Sequence, residues 1–225
     1  MKPVLLFDID GTLMHVKHAF TRKLIASVLD EYGIDSNSLD DTSYSFAGRT
    51  DKEIFMKLLS AKENGSHLYE DVKQSYLKYM NQHFSSSDTE AIEGAMEFVK
   101  FAKGKQYPIG LCTGNFRESA FNKVEAAGFV NTFSFGGFGC NHADRKYLPG
   151  EAIDDYKKIA GKEPDSKSVV VIGDTPNDIR CAKFFGAVSV AVTTGSYSES
   201  ELRSTSPDLL ISDLRELIDR LPTFF

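Results

Sequence analysis

Three aspartates in two distant segments of the chain have side chains that suit catalysis. Asp8 and Asp10 lie near the N-terminus, and Asp174 lies in the last quarter of the sequence. If the fold brings them together, the carboxylates repel one another and each loss of a proton becomes harder. A divalent cation relieves this repulsion, and hard oxygen ligands favour Mg²⁺, which binds one or two carboxylates and keeps several waters. The three aspartates therefore predict a magnesium site.

The same carboxylates suit the transfer of a phosphoryl group. A carboxylate such as Asp8 can attack phosphorus and form an aspartyl-phosphate. A bound cation offsets the repulsion between this nucleophile and an anionic phosphate. Asp10 could protonate the leaving oxygen and later deprotonate the attacking water. We therefore expect Asp8 to act as the nucleophile and Asp10 as the general acid and base.

Two further segments carry groups that bind phosphate. Thr113, Gly114 and Asn115 follow an apolar run, where a hydroxyl, an amide and free backbone N–H groups at a helix start bind phosphate oxygens. Arg145 and Lys146 are adjacent cations, and either could neutralise the transferring phosphoryl group. Arginine offers a fork to two oxygens and lysine a point charge. These properties alone leave the choice between the two open.

Short apolar runs alternate with helical patterns over most of the chain. Solid runs of this kind indicate strands that are buried on both faces. Alternating strands and helices predict an α/β fold with a parallel sheet. In such a sheet ligands bind beyond the carboxyl ends of the strands, so the polar segments should meet in one crevice. The predicted strands are 4–7, 109–112, 132–135, 169–172, 188–192 and 209–211.

The stretch from Met14 to Ala91 breaks this alternation. It contains apolar residues at helical spacing and no convincing strand. The pattern predicts that a helical insertion of about 75 residues follows the first strand. The insertion's apolar stripes contain Leu24, Ile25, Val28, Leu29, Tyr32, Ile54, Phe55, Leu58, Leu59, Val72, Tyr76, Tyr79 and Met80.

Composition limits the possible classes of function. The 225 residues fit one main domain with a smaller insertion, and the net charge of -6 gives no overall basic face for nucleic acid. No apolar run is long enough to span a membrane, and the N-terminus lacks the pattern of a secretory signal. The three cysteines have no metal-ligand spacing. We expect a cytoplasmic protein that acts on a small molecule; the oligomeric state is left open.

The polar segments resemble the motifs of the haloacid dehalogenase superfamily. Residues 5–13, LLFDIDGTL, resemble its first motif, 111–115, LCTGN, its second, and 171–178, VIGDTPND, its fourth. The third motif usually contains Lys followed by Pro, whereas residues 141–149, NHADRKYLP, offer Arg145 and Lys146. Some members similar to the phosphoglycolate phosphatases use an arginine after a Gly-Gly-Phe-Gly segment, as at 136–139. We therefore favour Arg145, with Lys146 as the alternative.

This resemblance implies an architecture and a set of roles. The core would be a Rossmann-like parallel sheet formed by residues 1–14 and 91–225, with an inserted all-helical cap domain at 15–90. Arg49, in the segment 47–51, would reach the substrate when the cap closes. The remaining implied roles are metal ligation by Asp8, the backbone carbonyl of Asp10 and Asp174, phosphate binding by Thr113, Gly114 and Asn115, and ordering of the metal's surroundings by Asp178.

The predicted function is a magnesium-dependent phosphatase that hydrolyses a small phosphomonoester. A phosphomutase of the same superfamily is an alternative, because no residue shows whether water reaches the aspartyl-phosphate. Dehalogenation is disfavoured, because dehalogenases of the superfamily usually lack the second aspartate that is present here as Asp10. A non-catalytic binding protein on this fold is the remaining alternative, since fold alone never proves function. The substrate itself stays open.

Overall fold

The computed structural model describes residues 2–36 and 45–223. Within these residues, six parallel strands form the main sheet in the order β5-β4-β1-β6-β7-β8. An antiparallel pair, β2 and β3, lies outside it. The strands are β1 Val4–Phe7, β2 Met14–Val16, β3 Thr89–Ala91, β4 Ile109–Thr113, β5 Gly136–Phe138, β6 Val169–Gly173, β7 Val188–Val192 and β8 Leu209–Ile211.

The helices cover both faces of the main sheet, and the predicted α/β fold is confirmed. Side chains alternate between the faces of a strand. In β1, Leu5 and Phe7 therefore join one hydrophobic cluster, and Val4 and Leu6 join the other. The helices are α1 His18–Glu31, α2 Asp51–Leu59, α3 Tyr69–His83, α4 Ala95–Gly104, α5 Arg117–Ala126, α6 Leu148–Ala160, α7 Pro176–Phe185, α8 Glu199–Ser204 and α9 Glu216–Arg220.

Strand β1 lies in the middle of the sheet between β4 and β6. Leu5 pairs with Ile109 on one side and with Val170 on the other, and all three strands run in the same direction. Their carboxyl ends therefore lie side by side. The segments that follow β1, β4 and β6 are the three polar segments of the sequence, so the pairing of these strands brings the segments to one edge of the sheet.

The inserted stretch forms α1, α2 and α3, which pack around a hydrophobic cluster of their own. Its buried members include Leu24, Ile25, Val28, Leu29, Ile54, Phe55, Leu58, Leu59, Val72, Tyr76 and Met80. These are most of the residues of the predicted apolar stripes. The domain boundaries, 1–14 with 91–225 and 15–90, stay a prediction. Residues 37–44 of the insertion lie outside the described part of the chain.

The structure corrects three details of the sequence interpretation. The stretch read as free of strands carries β2 and β3 at its two ends, where Met14 pairs with Ala91; strands of three residues are too short to show a period. The strand predicted at 132–135 lies instead at β5, because its glycines hide the usual apolar signal. The spacing of Phe116, Ala120, Val124 and Ala127 predicts one apolar stripe of a helix, but Phe116 precedes α5 and packs with Phe55 of the insertion.

Within the described residues, no helix combines the length and the apolar composition that crossing a membrane requires.

Candidate active site

Asp8 and Asp174 lie at the ends of the neighbouring strands β1 and β6, and both are buried. The backbone N–H of Asp8 donates to the carbonyl of Ile172 at 2.9 Å, which extends the pairing of the two strands to the aspartate itself. The hydroxyl of Thr12 donates to Oδ1 of Asp174 at 3.1 Å. A side chain at Gly195 would collide with the Asp174 carboxylate, so this glycine lets the backbone approach it closely.

Asp178 enters the same site from the first turn of α7. Thr175 is the N-cap of this helix and Pro176 its first residue, a combination that favours a helix start. Oδ2 of Asp178 accepts from the backbone N–H of Thr175 at 3.0 Å and from its hydroxyl at 2.7 Å. This capping box holds one oxygen of Asp178 and leaves the other free to face the site.

The side chains of Asp8, Asp174 and Asp178 form a cluster that could hold a cation. Each offers a carboxylate oxygen, and these oxygens lie within 4.8 Å of one another. Three buried carboxylate oxygens this close are the hard ligands that a magnesium ion prefers. The cluster includes the side chain of Asp178, for which the sequence indicated a supporting role, and not the side chain of Asp10.

Arg145 is the cation that lies inside this cluster. Its Nη2 is 2.9 Å from Oδ1 of Asp8 and 2.5 Å from Oδ1 of Asp178, and it also donates to the carbonyl of Cys112 at 3.2 Å. Its buried Nε has no hydrogen-bond partner within the described residues. Lys146 points elsewhere: its Nζ pairs with Asp144 at 2.7 Å and lies over the ring of Tyr147.

Burial and charge shift the pKa values of these groups. Burial raises the pKa of Asp8 to about 6, Arg145 opposes this increase, and the carboxylates of Asp178 and Asp10 add to it. Burial, then the charges of Asp8 and Asp178, raise the pKa of Asp174 well above its ordinary value. Burial alone would lower the pKa of Arg145, but Asp178 and Asp8 outweigh it and raise that pKa, so the guanidinium stays charged. The site therefore gains from any additional positive charge.

Asp10 lies outside the cluster and belongs to a second network with Asn115. The amide nitrogen of Asn115 donates to Oδ2 of Asp10 at 2.7 Å and to the hydroxyl oxygen of Thr113 at 2.8 Å. Lys123 of α5 completes this network with bonds to both carboxylate oxygens of Asp10. Thr113 is fully buried at the end of β4, and Asn115 follows just before α5. The structure thus places the predicted phosphate-binding segment beside the predicted acid and base.

The segment 48–52 of the insertion lies against the loops that follow β4 and β5. The backbone N–H of Asp51 donates to the carbonyl of Gly114 at 2.7 Å, and its carboxylate accepts from the N–H of Phe116 at 2.8 Å. The hydroxyl of Thr50 donates to the carbonyl of Ala143 at 2.8 Å. A side chain at Gly114 would collide with the backbone of this segment. The insertion is therefore in direct contact with the site.

Arg49 and Arg145 share the wall of a cleft of about 600 Å³. Arg49 forms an ion pair with Glu53, and its Nε donates to the carbonyl of Ser45 at 2.8 Å. Further lining residues of the cleft are Ala143, Asp144, Lys146, Asn177, Arg180, Cys181 and Phe184.

The sequence pattern of the haloacid dehalogenase-like hydrolases matches residues 5–192, which is most of the chain. The chain belongs to this family. The match begins in β1 and ends with β7, and it includes the residues of the site described above except Gly195. The predicted family is confirmed, and relatives named phosphatases, described next, confirm the prediction of a hydrolase of the phosphatase type.

Relatives of the chain within the haloacid dehalogenase-like family are similar over nearly their whole length. "Probable phosphatase IndB" of Dickeya dadantii is 23% identical over 97% of this chain and 93% of its own. The phosphoglycolate phosphatase of Mesorhizobium japonicum is 23% identical over 98% of this chain and 96% of its own. A crystal structure described as a predicted phosphoglycolate phosphatase from Haemophilus somnus has a TM-score of 0.73 at 17% identity and covers 98% of both chains. The predicted resemblance to the phosphoglycolate-phosphatase-like members is thus confirmed.

Sequence reasoning missed several residues of the site. Lys123 belongs to none of the motifs, and its only signal was a charge on the buried face of an otherwise apolar helical stripe. Thr50 and Asp51 lie in the segment 47–51 that the resemblance singled out, but only Arg49 of that segment was given a role; the contacts of Thr50 and Asp51 with the loops after the strands were not predicted. The contacts of all three residues depend on where α2 and α5 lie relative to the loops that follow the strands.

Proposed function

We propose that the chain is a magnesium-dependent phosphatase that hydrolyses a small phosphomonoester through an aspartyl-phosphate on Asp8. The observation that carries this proposal is the cluster of Asp8, Asp174 and Asp178 around Arg145 at the carboxyl ends of neighbouring strands. Membership of a hydrolase family and relatives that are named phosphatases support it.

Asp8 and Asp10 share the two chemical steps of the proposed reaction. An oxygen of Asp8 attacks phosphorus, the bond from phosphorus to the leaving oxygen breaks, and Asp10 gives its proton to that oxygen. Asp10 then takes a proton from water, whose oxygen attacks phosphorus. The bond between phosphorus and Asp8 breaks, and inorganic phosphate and the free carboxylate of Asp8 are restored. The nearly complete burial of Asp8 limits its solvation and keeps it reactive.

Arg145 is the cation proposed to hold the phosphate, with help from the segment after β4. It lies 2.9 Å from the nucleophile, and its unpartnered Nε offers a donor for a phosphate oxygen. The hydroxyl of Thr113 and the amide of Asn115 lie at the same edge of the sheet and supply further polar groups. Lys146 is engaged by Asp144 and contributes only to the charge of the cleft.

The residues of the cluster fit a bound Mg²⁺. Their ligand atoms are hard oxygens and their mutual distances suit one ion, while burial and mutual repulsion raise the pKa values of Asp8 and Asp174, an effect that a bound cation would oppose. Asp8 and Asp174 would hold the ion through their side chains, the backbone carbonyl of Asp10 would be a third ligand, and Asp178 would contact the ion or its waters. The ion would supply charge neutralisation for the phosphoryl group.

The substrate is proposed to be a small phosphate ester that fits the cleft of Arg49 and Arg145. A cleft of about 600 Å³ accommodates a small metabolite together with waters. Arg49 contributes a cation from the insertion and would contact the part of the ester that leaves. Phosphoglycolate is a reasonable first substrate to test, because several relatives are named phosphoglycolate phosphatases.

The test is hydrolysis of p-nitrophenyl phosphate and of phosphoglycolate with Mg²⁺ by the native chain and by Asp8→Asn. The variant removes the attacking oxygen anion, so we expect kcat to fall by about 10³-fold or more. Asp30→Asn is the matched control, because Asp30 is exposed on α1 and its change should leave kcat unaltered. Full activity of Asp8→Asn would rule out Asp8 as the nucleophile.

A further inference from the structure

Lys123 is a buried lysine whose three donor positions are all directed at two side chains. It lies on α5 and is 7% exposed. Its Nζ is 2.8 Å and 2.7 Å from the two carboxylate oxygens of Asp10 and 2.6 Å from Oδ1 of Asn115. Lysine is seldom buried to this extent unless it is paired, because desolvation of its charge is costly. The contacts at this position therefore need an explanation beyond packing.

The side chain of Asp10 is held by these contacts although it is 41% exposed. Asn115 donates to Oδ2 at 2.7 Å, and Lys123 binds both oxygens, so the two neighbours together fix the carboxylate plane. An exposed aspartate after a strand would otherwise sample several rotamers. Lys123 and Asn115 are bonded to each other as well, so the three side chains form one closed network.

We propose that Lys123 is a positioning residue that fixes Asp10 for its acid and base role. This inference rests on the proposed phosphatase function and adds a residue that none of the sequence motifs contains. Proton transfer requires Asp10 to meet the leaving oxygen and then the attacking water at hydrogen-bond distance. A misplacement by about 1 Å can cost about 10²-fold in rate. Lys123 removes that freedom without itself touching the substrate.

A purely structural role predicts a different result from a positioning role. Replacing both partners of a buried ion pair with apolar residues is often neutral for stability, whereas removing one partner is costly when the other stays buried. Lys123→Met fills the same space on the buried side of α5. The variant leaves Asp10 exposed to solvent rather than trapped without a partner. A folded Lys123→Met protein should therefore keep its structure and lose the hydrogen bonds of Lys123 that orient Asp10 and Asn115.

The formation and the hydrolysis of the aspartyl-phosphate distinguish a positioning role of Lys123 from a purely structural one. p-Nitrophenolate is a stable anion and leaves without much help from an acid, whereas the hydrolysis of the aspartyl-phosphate still needs a base. For Lys123→Met we expect a first turnover of p-nitrophenyl phosphate near the native rate, followed by steady turnover that is about 10²-fold slower. Rapid-mixing kinetics would show this as a burst of p-nitrophenolate. With phosphoglycolate, whose leaving oxygen needs a proton from Asp10, the first turnover and the steady turnover of Lys123→Met should both be slow.

Asp10→Asn is the reference variant, and Lys157→Met is the control. Lys157 is an exposed lysine whose Nζ lies 2.7 Å from Glu163, so its loss removes a lysine–carboxylate ion pair away from the site. We expect Lys123→Met to reproduce the burst pattern of Asp10→Asn and Lys157→Met to behave like the native chain. If Lys123→Met does not fold, as judged by circular dichroism, Lys123→Gln replaces it. This variant should likewise keep the first turnover of p-nitrophenyl phosphate and slow the steady turnover.

The outcomes distinguish this inference from the proposed function on which it rests. No hydrolysis of either ester by the native chain would overturn the proposed function. Native rates in Lys123→Met together with impaired Asp10→Asn would overturn the positioning role alone. A Lys123→Met variant that loses the first turnover of p-nitrophenyl phosphate as completely as Asp8→Asn would also overturn it, because that loss indicates general damage to the site.

Discussion

At the scale of single residues, the balance between carboxylates and cations sets the properties of the site. Asp8, Asp174 and Asp178 face one guanidinium, Arg145, and burial raises the pKa of Asp8 to about 6 in spite of it. Asp51 of the insertion is half-buried near Lys123, and desolvation of its carboxylate raises its pKa to about 6 as well, although the charge of Lys123 acts in the opposite direction. Such groups make stability depend on pH.

Asp51 provides a prediction about stability. Its folded-state pKa of about 6 lies above the ordinary value of 3.8, so the folded state binds the proton more tightly than the unfolded state. This stabilisation is complete below pH 3.8 and is lost as the pH rises from there through about 6. The loss over this pH interval amounts to about 3 kcal/mol. Asp51→Asn does not titrate. Its free energy of unfolding relative to the native chain should therefore increase by about 3 kcal/mol between acidic and neutral pH.

Urea unfolding of both proteins at several pH values measures this difference, and other titrating groups cancel from it. Asp30→Asn, at an exposed position on α1, is the control and should show a constant difference. A constant difference for Asp51→Asn would mean that Asp51 titrates normally in the folded protein.

At the scale of elements, the start of α7 connects helix formation to the site. The capping box of Thr175 and Asp178 satisfies the first backbone N–H groups of the helix. It also fixes Asp178, whose other oxygen lies 2.5 Å from Arg145. A cap that normally serves only stability therefore also orients the guanidinium beside Asp8.

We expect Thr175→Ala to lower the free energy of unfolding by about 1 kcal/mol more than Thr175→Ser does. Serine keeps the hydroxyl and loses only the methyl group, so the difference between the two variants isolates the cap. Thr175→Ala should also lower kcat more than Thr175→Ser, because Asp178 loses one of the bonds that orient it towards Arg145. Denaturant unfolding and steady-state kinetics measure the two effects; equal values for both variants would refute the link.

At the scale of the whole molecule, the site lies at the edge of the sheet where the central strands end and polar side chains follow. Asp8 follows β1, Thr113 ends β4 and Asp174 follows β6, while the insertion adds contacts from the segment 48–52. Three carboxylates gathered in this way destabilise the folded chain, and a cation that binds them should stabilise it. The folded state and the ion are therefore coupled.

Addition of Mg²⁺ should raise the free energy of unfolding by about 2.7 kcal/mol at a free concentration of about 100 Kd. The pKa of Asp8 is raised to about 6, so protons occupy its carboxylate below that pH and compete with the ion. The stabilisation should thus be large in weakly alkaline buffer and shrink as pH falls through about 6. Chelation should reverse it and abolish hydrolysis.

Thermal unfolding with and without Mg²⁺, at constant ionic strength, measures this effect. Asp174→Asn removes one charged ligand and should lose most of the stabilisation, whereas Lys157→Met should keep all of it. An increase in Tm with Mg²⁺ that is the same in weakly alkaline buffer and below pH 6, or that persists in Asp174→Asn, would show that the ion binds elsewhere.

The sequence by itself determined the sheet and the identity of the residues at its carboxyl edge. Solid apolar runs such as 4–7 and 169–172 are readable because buried parallel strands need apolar side chains on both faces. The polar residues directly after these strands lie at the carboxyl edge of the sheet, because each strand ends there. Asp8, Thr113 and Asp174 could therefore be named in advance, whereas the glycine-rich β5 lacked that signal.

Only the tertiary structure decided which side chains meet. Arg145 and Lys146 are adjacent and both cationic, yet the packing of the turn that carries them points one at Asp8 and the other at Asp144. Lys123 reaches Asp10 because Ala120 and Val124 of α5 belong to the same hydrophobic cluster as Phe7 of β1. Such contacts join residues far apart in the chain, and their geometry depends on the relative placement of whole elements. Local periodicity reports which residues are buried, but it does not specify their partners.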